Sequence, residues 1–481
     1  MKKSKSLLVL IALVTLATKP AAHAGPHTWS GAASGQWSVA GNWSVGGPPV
    51  NGETVSLTFP VGAAHFAVTN DLTGLQVDSL TFSAPGYTVY AAAGKTITLT
   101  GGINILCNDN AALDTSLGIV LANTNSISVA AGKQLTIMGP ISGPGALAKI
   151  GGGALIFSGT PANTYSGSTL VSDGSLVLQR GVSAFNTAVA VPGPLFLGGS
   201  NGAPDAATAT LNFPDQIAKT APVTTFYSGT LNLNTVNQTI GSLLMYGGSI
   251  NGSDSLLTLN GDVTAVAGTN SASIHCLLSL GGTNRTFNVT GNYGLQLQNR
   301  VSDGGSNVGL TKTGPGLLYL VASNSYAGLT VVSSGTLELG NGFALGSTSS
   351  GTIVSNGASI RFLGSFGVGA EPLTLYGLGV NSVGSIYTDF DTNSWAGPVV
   401  LASNTRVQTL NGVCRFSFTG PITGPGGLDK IGEGTLNFSG TSSNRYAGPT
   451  TVSLGKLELS KTNATAIPGP LTIGDNVSPT N

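Results

Sequence analysis

One block of the chain is written three times, and that repetition constrains the fold more than any other feature. Residues 139–178 open GPISGPGALAKIGGGALIFSG and close ANTYSGSTLVSDGSLVL. Residues 420–459 open GPITGPGGLDKIGEGTLNFSG and close SNRYAGPTTVSLGKLEL, and 25 of the 40 positions are identical without a gap. A third copy, GLTKTGPGLLYLVASNSYAGLTVVSSGTLEL, fills 309–339 with two residues deleted. A unit that recurs this closely buries its apolar side by stacking on neighbours of its own kind, so the expected architecture is a solenoid.

Two shorter patterns fix the element type. The first is apolar-x-apolar-x-Gly-x-apolar, as in Ile97-Leu99-Gly101-Ile103, Leu135-Ile137-Gly139-Ile141, Leu257-Leu259-Gly261-Val263 and Phe416-Phe418-Gly420-Ile422. The second is Gly-x-Leu-x-Leu, at Gly174, Gly229, Gly335 and Gly455. Period-two alternation marks strands, and no segment sustains a helical period. The glycines are expected to turn corners, since Gly alone takes positive φ cheaply. The reading is therefore all-β: a parallel right-handed β-helix or β-solenoid with leucines inward. At about 20–25 residues per coil, about twenty coils would make a rod of about 90–100 Å.

Composition excludes other classes. Only 8% of the residues are charged, yet 41% are apolar, so the chain is not disordered. Its 71 glycines lack the three-residue period of collagen. Lys2, Lys3 and Lys5, the apolar run Leu7 to Ala17, and Ala22-His23-Ala24 read as a cleaved signal peptide, residues 1–24. Removing Lys2, Lys3, Lys5 and Lys19 from 19 basic residues leaves 15 against 19 acidic, so no basic stripe invites nucleic acid. No later segment reads as a transmembrane span. Cys107, Cys276 and Cys414 match no metal spacing and read as small buried hydrophobes.

The domain plan follows: a signal peptide at 1–24, a cap region at 25–60, and a solenoid at 61–481. Open solenoid ends invite further strands. Trp29, Trp37 and Trp43, with Pro48 and Pro49 beside them, are expected to cover the first coil; the alternative is a glycan-stacking aromatic surface. At the other end, IPGPLTIGDNVSPTN (467–481) resembles VPGPLFLGGSNGAPD (191–205), which continues into further coils. The chain is expected to be a piece of a longer array.

The long block resembles the autotransporter-associated β-strand repeat, also called the passenger-associated transport repeat. The positions that carry the resemblance include Leu147, Lys149, Gly151, Gly153, Leu155, Asn163, Tyr165, Thr169, Gly174 and Leu176, with counterparts from Leu310 to Leu339 and from Leu428 to Leu459. The three blocks cover about a quarter of the chain. The resemblance implies a secreted, parallel β-helical passenger. Autotransporters translocate such passengers through a carboxy-terminal β-barrel, and no stretch here reads as one.

A β-helix can be an enzyme when carboxylates cluster on one exposed face. The best candidate is Asp389-Phe-Asp391, whose alternation would point both carboxylates the same way; Asp303 and Asp262 are isolated in turns. His275 and Cys276 are adjacent, so on a strand they face opposite sides and do not form a nucleophile–base pair. His27 and His65 have no partner at metal-ligand spacing. The glycines Gly151, Gly152 and Gly153 read as solenoid corners. The recurring Lys149, Lys312 and Lys430 read as structural at a coil edge. Asn163, Asn324 and Asn444 read as a hydrogen-bonding ladder inside a turn. No catalytic, cofactor-binding or metal-binding residue is assigned, and no cofactor is expected. The expected function is structural or adhesive, at the cell surface or outside the cell, without catalysis. Glycans, extracellular matrix or neighbouring cell surfaces are the expected partners. The alternative is a polysaccharide-active β-helix, a lyase or glycoside hydrolase, using Asp389 and Asp391.

Overall fold

The computed structural model describes residues 25–199, 203, 206–266, 271–389 and 392–474. The expected signal peptide lies outside them. The alternating segments become strands of two to eight residues in which alternate members are buried, as in Gln134–Ile137, Ala154–Phe157 and Gly335–Leu339. Nearly all pair in parallel with the equivalent strand one coil away. One ladder runs through 19 strands, from Ala67–Asn70 to Leu471–Ile473. At about 4.8 Å per step this rod is about 90 Å long.

Register is kept residue by residue, so like side chains stack. Leu135, Leu155, Leu176 and Ala209 lie in one column, and Leu297, Leu320, Leu339 and Phe362 continue it further along. The core is thus a set of axial columns, each residue covered above and below. The opposite side of the same ladder carries Ser175, Thr208, Thr230, Ser249 and Ser273. A one-residue slip would exchange the two sets, and the apolar column forbids it.

The glycine corners divide into two kinds. Gly174, Gly335 and Gly455 do take the left-handed conformation, with φ of 69°, 70° and 79°. Of the first pattern Gly101 also has a positive φ, 124°, but Gly139, Gly261 and Gly420 do not, which corrects the expectation at those three. They are glycines because coils touch there: a Cβ on Gly139 would lie 2.0 Å from the carbonyl oxygen of Leu117, and one on Gly420 2.2 Å from that of Gly397.

At the amino end, Pro26–Trp29 pairs in parallel with Thr54–Phe59 on one edge and antiparallel with Trp43–Val45 on the other. An antiparallel strand ends the parallel stack and occupies the edge that another coil would use. Trp29, Trp37 and Trp43 are all buried. Trp29 packs edge-on to Trp43 at 5.1 Å, and both Trp29 and Trp37 lean on Phe59. Their faces are consumed by the core, so they form no surface for stacking sugars.

The third block is turned relative to the others. In the second block the lysine-bearing strand, Leu310–Thr313, belongs to a ladder that continues through Thr330–Val332 and Val399–Leu401 to Ile422–Thr423. In the third block the equivalent strand, Leu428–Ile431, sits instead in the ladder that carries Gly335–Leu339 and Ala358–Phe362. Between the two copies the pattern has moved by one face of the rod.

Candidate functional site

The repeated polar residues are internal staples. Lys149, Lys312 and Lys430 are fully buried. Each ammonium donates to two carbonyls of its own turn and to one in the next coil: for Lys312, Thr313 at 2.8 Å, Gly314 at 2.7 Å and Ser334 at 3.1 Å. The expected coil-edge position is corrected; the side chain lies inside, where its length lets the charge reach the turn. Burial pulls each ammonium down to about 8.

Asn163, Asn324 and Asn444 do not form a ladder with one another. Each amide instead bridges the coils on either side. Asn163 accepts from the Ile141 N–H at 2.9 Å and donates to the Ala190 carbonyl at 2.7 Å. Asn324 and Asn444 repeat this bridge to Val301 and Ala344, and to Ile422 and Ala466. Two residues on from each asparagine, the hydroxyls of Tyr165, Tyr326 and Tyr446 meet those of Thr169, Thr330 and Thr450. Sequence reasoning missed a fourth staple. The buried Arg180 guanidinium donates to the carbonyls of Met138, Gly139, Ser158 and Pro161. Lys461 does the same with Gly420 and Ser439.

One outward-facing column combines rings and charges. Tyr319, Glu338, Arg361 and Tyr387 occupy successive positions of one column, on the side away from the core leucines. Arg361 pairs with Glu338 at 3.0 Å and, through two nitrogens, with Asp389, while its guanidinium lies 5.8 Å from the centre of the Tyr387 ring. Burial raises the Glu338 carboxyl above the usual carboxylate range even with Arg361 beside it. Beside the column lies a groove of about 260 Å³ lined by Thr290, Asn292, Gly316, Thr336, Arg361 and Tyr387.

Asp389 is therefore committed to an ion pair, and Asp391 lies outside the described residues. Asp303 accepts from the N–H groups of Gly305 and Ala327, which hold it below the usual carboxylate range, and Asp262 accepts from that of Thr286. Both fasten turns. His275 is exposed and bonded to Ser273, and Cys276 is buried, as their adjacency implies. His27 and His65 are separate, holding the carbonyls of Gly47 and Gly31 in the cap. Cys107, Cys276 and Cys414 are buried free thiols. Among the described residues no three metal-ligating side chains converge, and no helix is long and apolar enough to cross a membrane.

One buried acid stands outside this scheme. Glu371 is 2% exposed, accepts from Thr352 at 2.8 Å, and leaves its second oxygen without a partner. Burial pushes its carboxyl up to about 7, from 4.5. The folded chain then holds a proton that the unfolded chain has released, so this contribution to stability is complete below pH 4.5 and is lost as pH rises through 7. Glu371→Gln should raise the melting temperature at pH 8 and leave it unchanged at pH 4; equal shifts at both would show that the charge is not the cause.

The passenger-associated-transport-repeat family matches residues 147–178, 310–339 and 428–459. Over 449 residues the chain is 30% identical to the adhesin BmaC autotransporter of Brucella suis biovar 1 (strain 1330). That alignment takes in 83% of this chain and 12% of the adhesin, so the chain spans about an eighth of its relative's length. No solved structure matches the chain.

Proposed function

We propose that this chain, with its three passenger-associated transport repeats, is part of an adhesive rod displayed outside the cell, and that it does no chemistry. The observation that carries this reading is how the polar groups are divided. The recurring lysine and asparagine side chains turn inward to clamp coils, and the recurring tyrosines turn inward to bond a threonine four residues on. The outward side of the ladder carries Ser, Thr, two tyrosines and a few ion-paired charges. Such a rod separates the job of standing from the job of touching. The likeness to an adhesin supports contact with a surface, and the amino-terminal residues 1–24 support export. The partners it would meet are glycans, matrix or neighbouring cell surfaces.

The purified chain should bind immobilised matrix or host cells, saturably and with weak salt dependence, since little net charge is available for steering. It should release no product from polysaccharides. Turnover that disappears in Asp391→Asn or Glu338→Gln would overturn the non-catalytic reading, and absence of any saturable binding would overturn the adhesive one.

A further inference from the structure

The groove beside Arg361 has a twin. A second concavity, of about 400 Å³, lies beside Lys133 and is lined by Asn110, Gln134, Gly152, Gly153, Ala154 and Ser175 among others. Alignment of the first two blocks superposes four positions of the two linings. Gly152, Gly153, Ala154 and Ser175 correspond to Pro315, Gly316, Leu317 and Thr336. The repeat itself therefore makes a notch at the corner where the lysine turn enters its next strand. At that corner two coils are in close contact through glycine backbone. A Cβ on Gly153 would lie 2.2 Å from the Ala130 carbonyl oxygen, and one on Gly316 2.5 Å from that of Gly291.

The linings share one chemistry on different residues. Each offers an exposed amide (Gln134 or Asn292) and a small hydroxyl (Ser175 or Thr336). Each has a cation already facing a carboxylate, Lys133 with Asp109 at 2.9 Å and Arg361 with Glu338 at 3.0 Å. Amides and hydroxyls that donate and accept suit sugar hydroxyls, and the Tyr387 ring adds an apolar face. Compensated cations do not favour a polyanion. The volumes sit at the small end of ligand sites, which run from about 300 Å³ upward, and fit a short stretch of sugar chain.

Both notches lie on the same 19-strand ladder, seven steps apart from Ala154–Phe157 to Leu317–Leu320. That is about 34 Å along one flank of the rod. We infer that the two notches are paired subsites for one long, uncharged polysaccharide laid along this flank. This rests on the adhesive reading and gives it a ligand class.

The third block supplies the test. Its residue equivalent to Ser175 and Thr336 is Lys456, so the fold already accepts lysine at that position. Ser175→Lys and Thr336→Lys should each fill one notch. The full chain is titrated against a panel of long neutral polysaccharides, their short oligosaccharides, and polygalacturonate. At least one neutral polymer should bind. Either single variant should weaken it about a hundredfold, the loss expected when two linked contacts become one. The double variant should abolish binding, Thr336→Ser should retain it, and short oligosaccharides should bind weakly throughout. If a lysine variant melts early, Gln134→Ala and Asn292→Ala, which only shorten exposed side chains, replace it. Binding that ignores both notches, preference for polygalacturonate, or a panel with no neutral binder overturns the inference. Cell adhesion that persists in the double variant would sink the notches and leave the adhesive reading standing. Loss of all adhesion by the unaltered chain would sink that reading itself.

Discussion

Lys312→Met should cost the rod about 3 kcal/mol and open it in the middle. Methionine keeps most of the buried stem, so packing changes little and the loss falls on the hydrogen bonds. Three carbonyls lose their charged donor, those of Thr313 and Gly314 within one turn and that of Ser334 in the next coil. Bonds to charged groups are worth about 1.5–3 kcal/mol each, offset in part because an ammonium no longer has to be desolvated. In a stacked rod each coil touches only its neighbours, so the damage stays local. Limited proteolysis should then cut near residues 313–334, and unfolding should split into two transitions. The pH dependence carries a further signature. The folded ammonium is held at about 8 against 10.5 unfolded, so the folded chain binds fewer protons between those values. The stability difference between the unaltered chain and Lys312→Met should therefore grow as pH rises from 8 to 10.5. A flat difference, or melting in one undivided step, would remove the lysine's assigned role.

Trp29→Ala should cost about 3–5 kcal/mol, and its effect should be confined to one end. Trp29 is fully buried, packs on Trp43 and Phe59, and bonds the His65 carbonyl through its ring nitrogen at 2.9 Å. Without it the strand Pro26–Trp29 has little to hold it, and the antiparallel Trp43–Val45 leaves with it. The edge of Thr54–Phe59 then lies bare. A bare parallel edge recruits other strands, so the variant should self-associate at concentrations where the unaltered chain stays dispersed. Sedimentation velocity separates the outcomes. A variant that loses stability yet sediments unchanged would show that the aromatic cluster is core alone and no cap.

The architecture was legible because stacking repeats one spacing, and the three blocks write that spacing out in full. The lysines and asparagines stood out as recurrent and were read as structural, and both are found holding turns and neighbouring coils. What they touch was not legible, because each reaches into a coil some twenty residues away. The outward column shows the limit most clearly. Tyr319, Glu338, Arg361 and Tyr387 are separated by 19, 23 and 26 residues. No fixed period links them, since the loops between strands vary in length, so only the register discloses that they are neighbours. Asp389 could be read as an exposed acid for the same reason: its partner Arg361 is one coil away. The glycines misled in another manner. A residue without a side chain can permit a turn or a close approach, and at Gly139 and Gly420 it is the approach.

The displacement of the third block by one face has a consequence for how such chains diversify. A duplicated module inherits its own internal contacts but not a compass bearing. Bearing is set by how many sides the intervening coils complete, and one extra side re-aims everything downstream without disturbing a single stacked leucine. Lengthening a linker here would act like turning a dial: the same displayed residues, swung toward a new quarter of the surroundings.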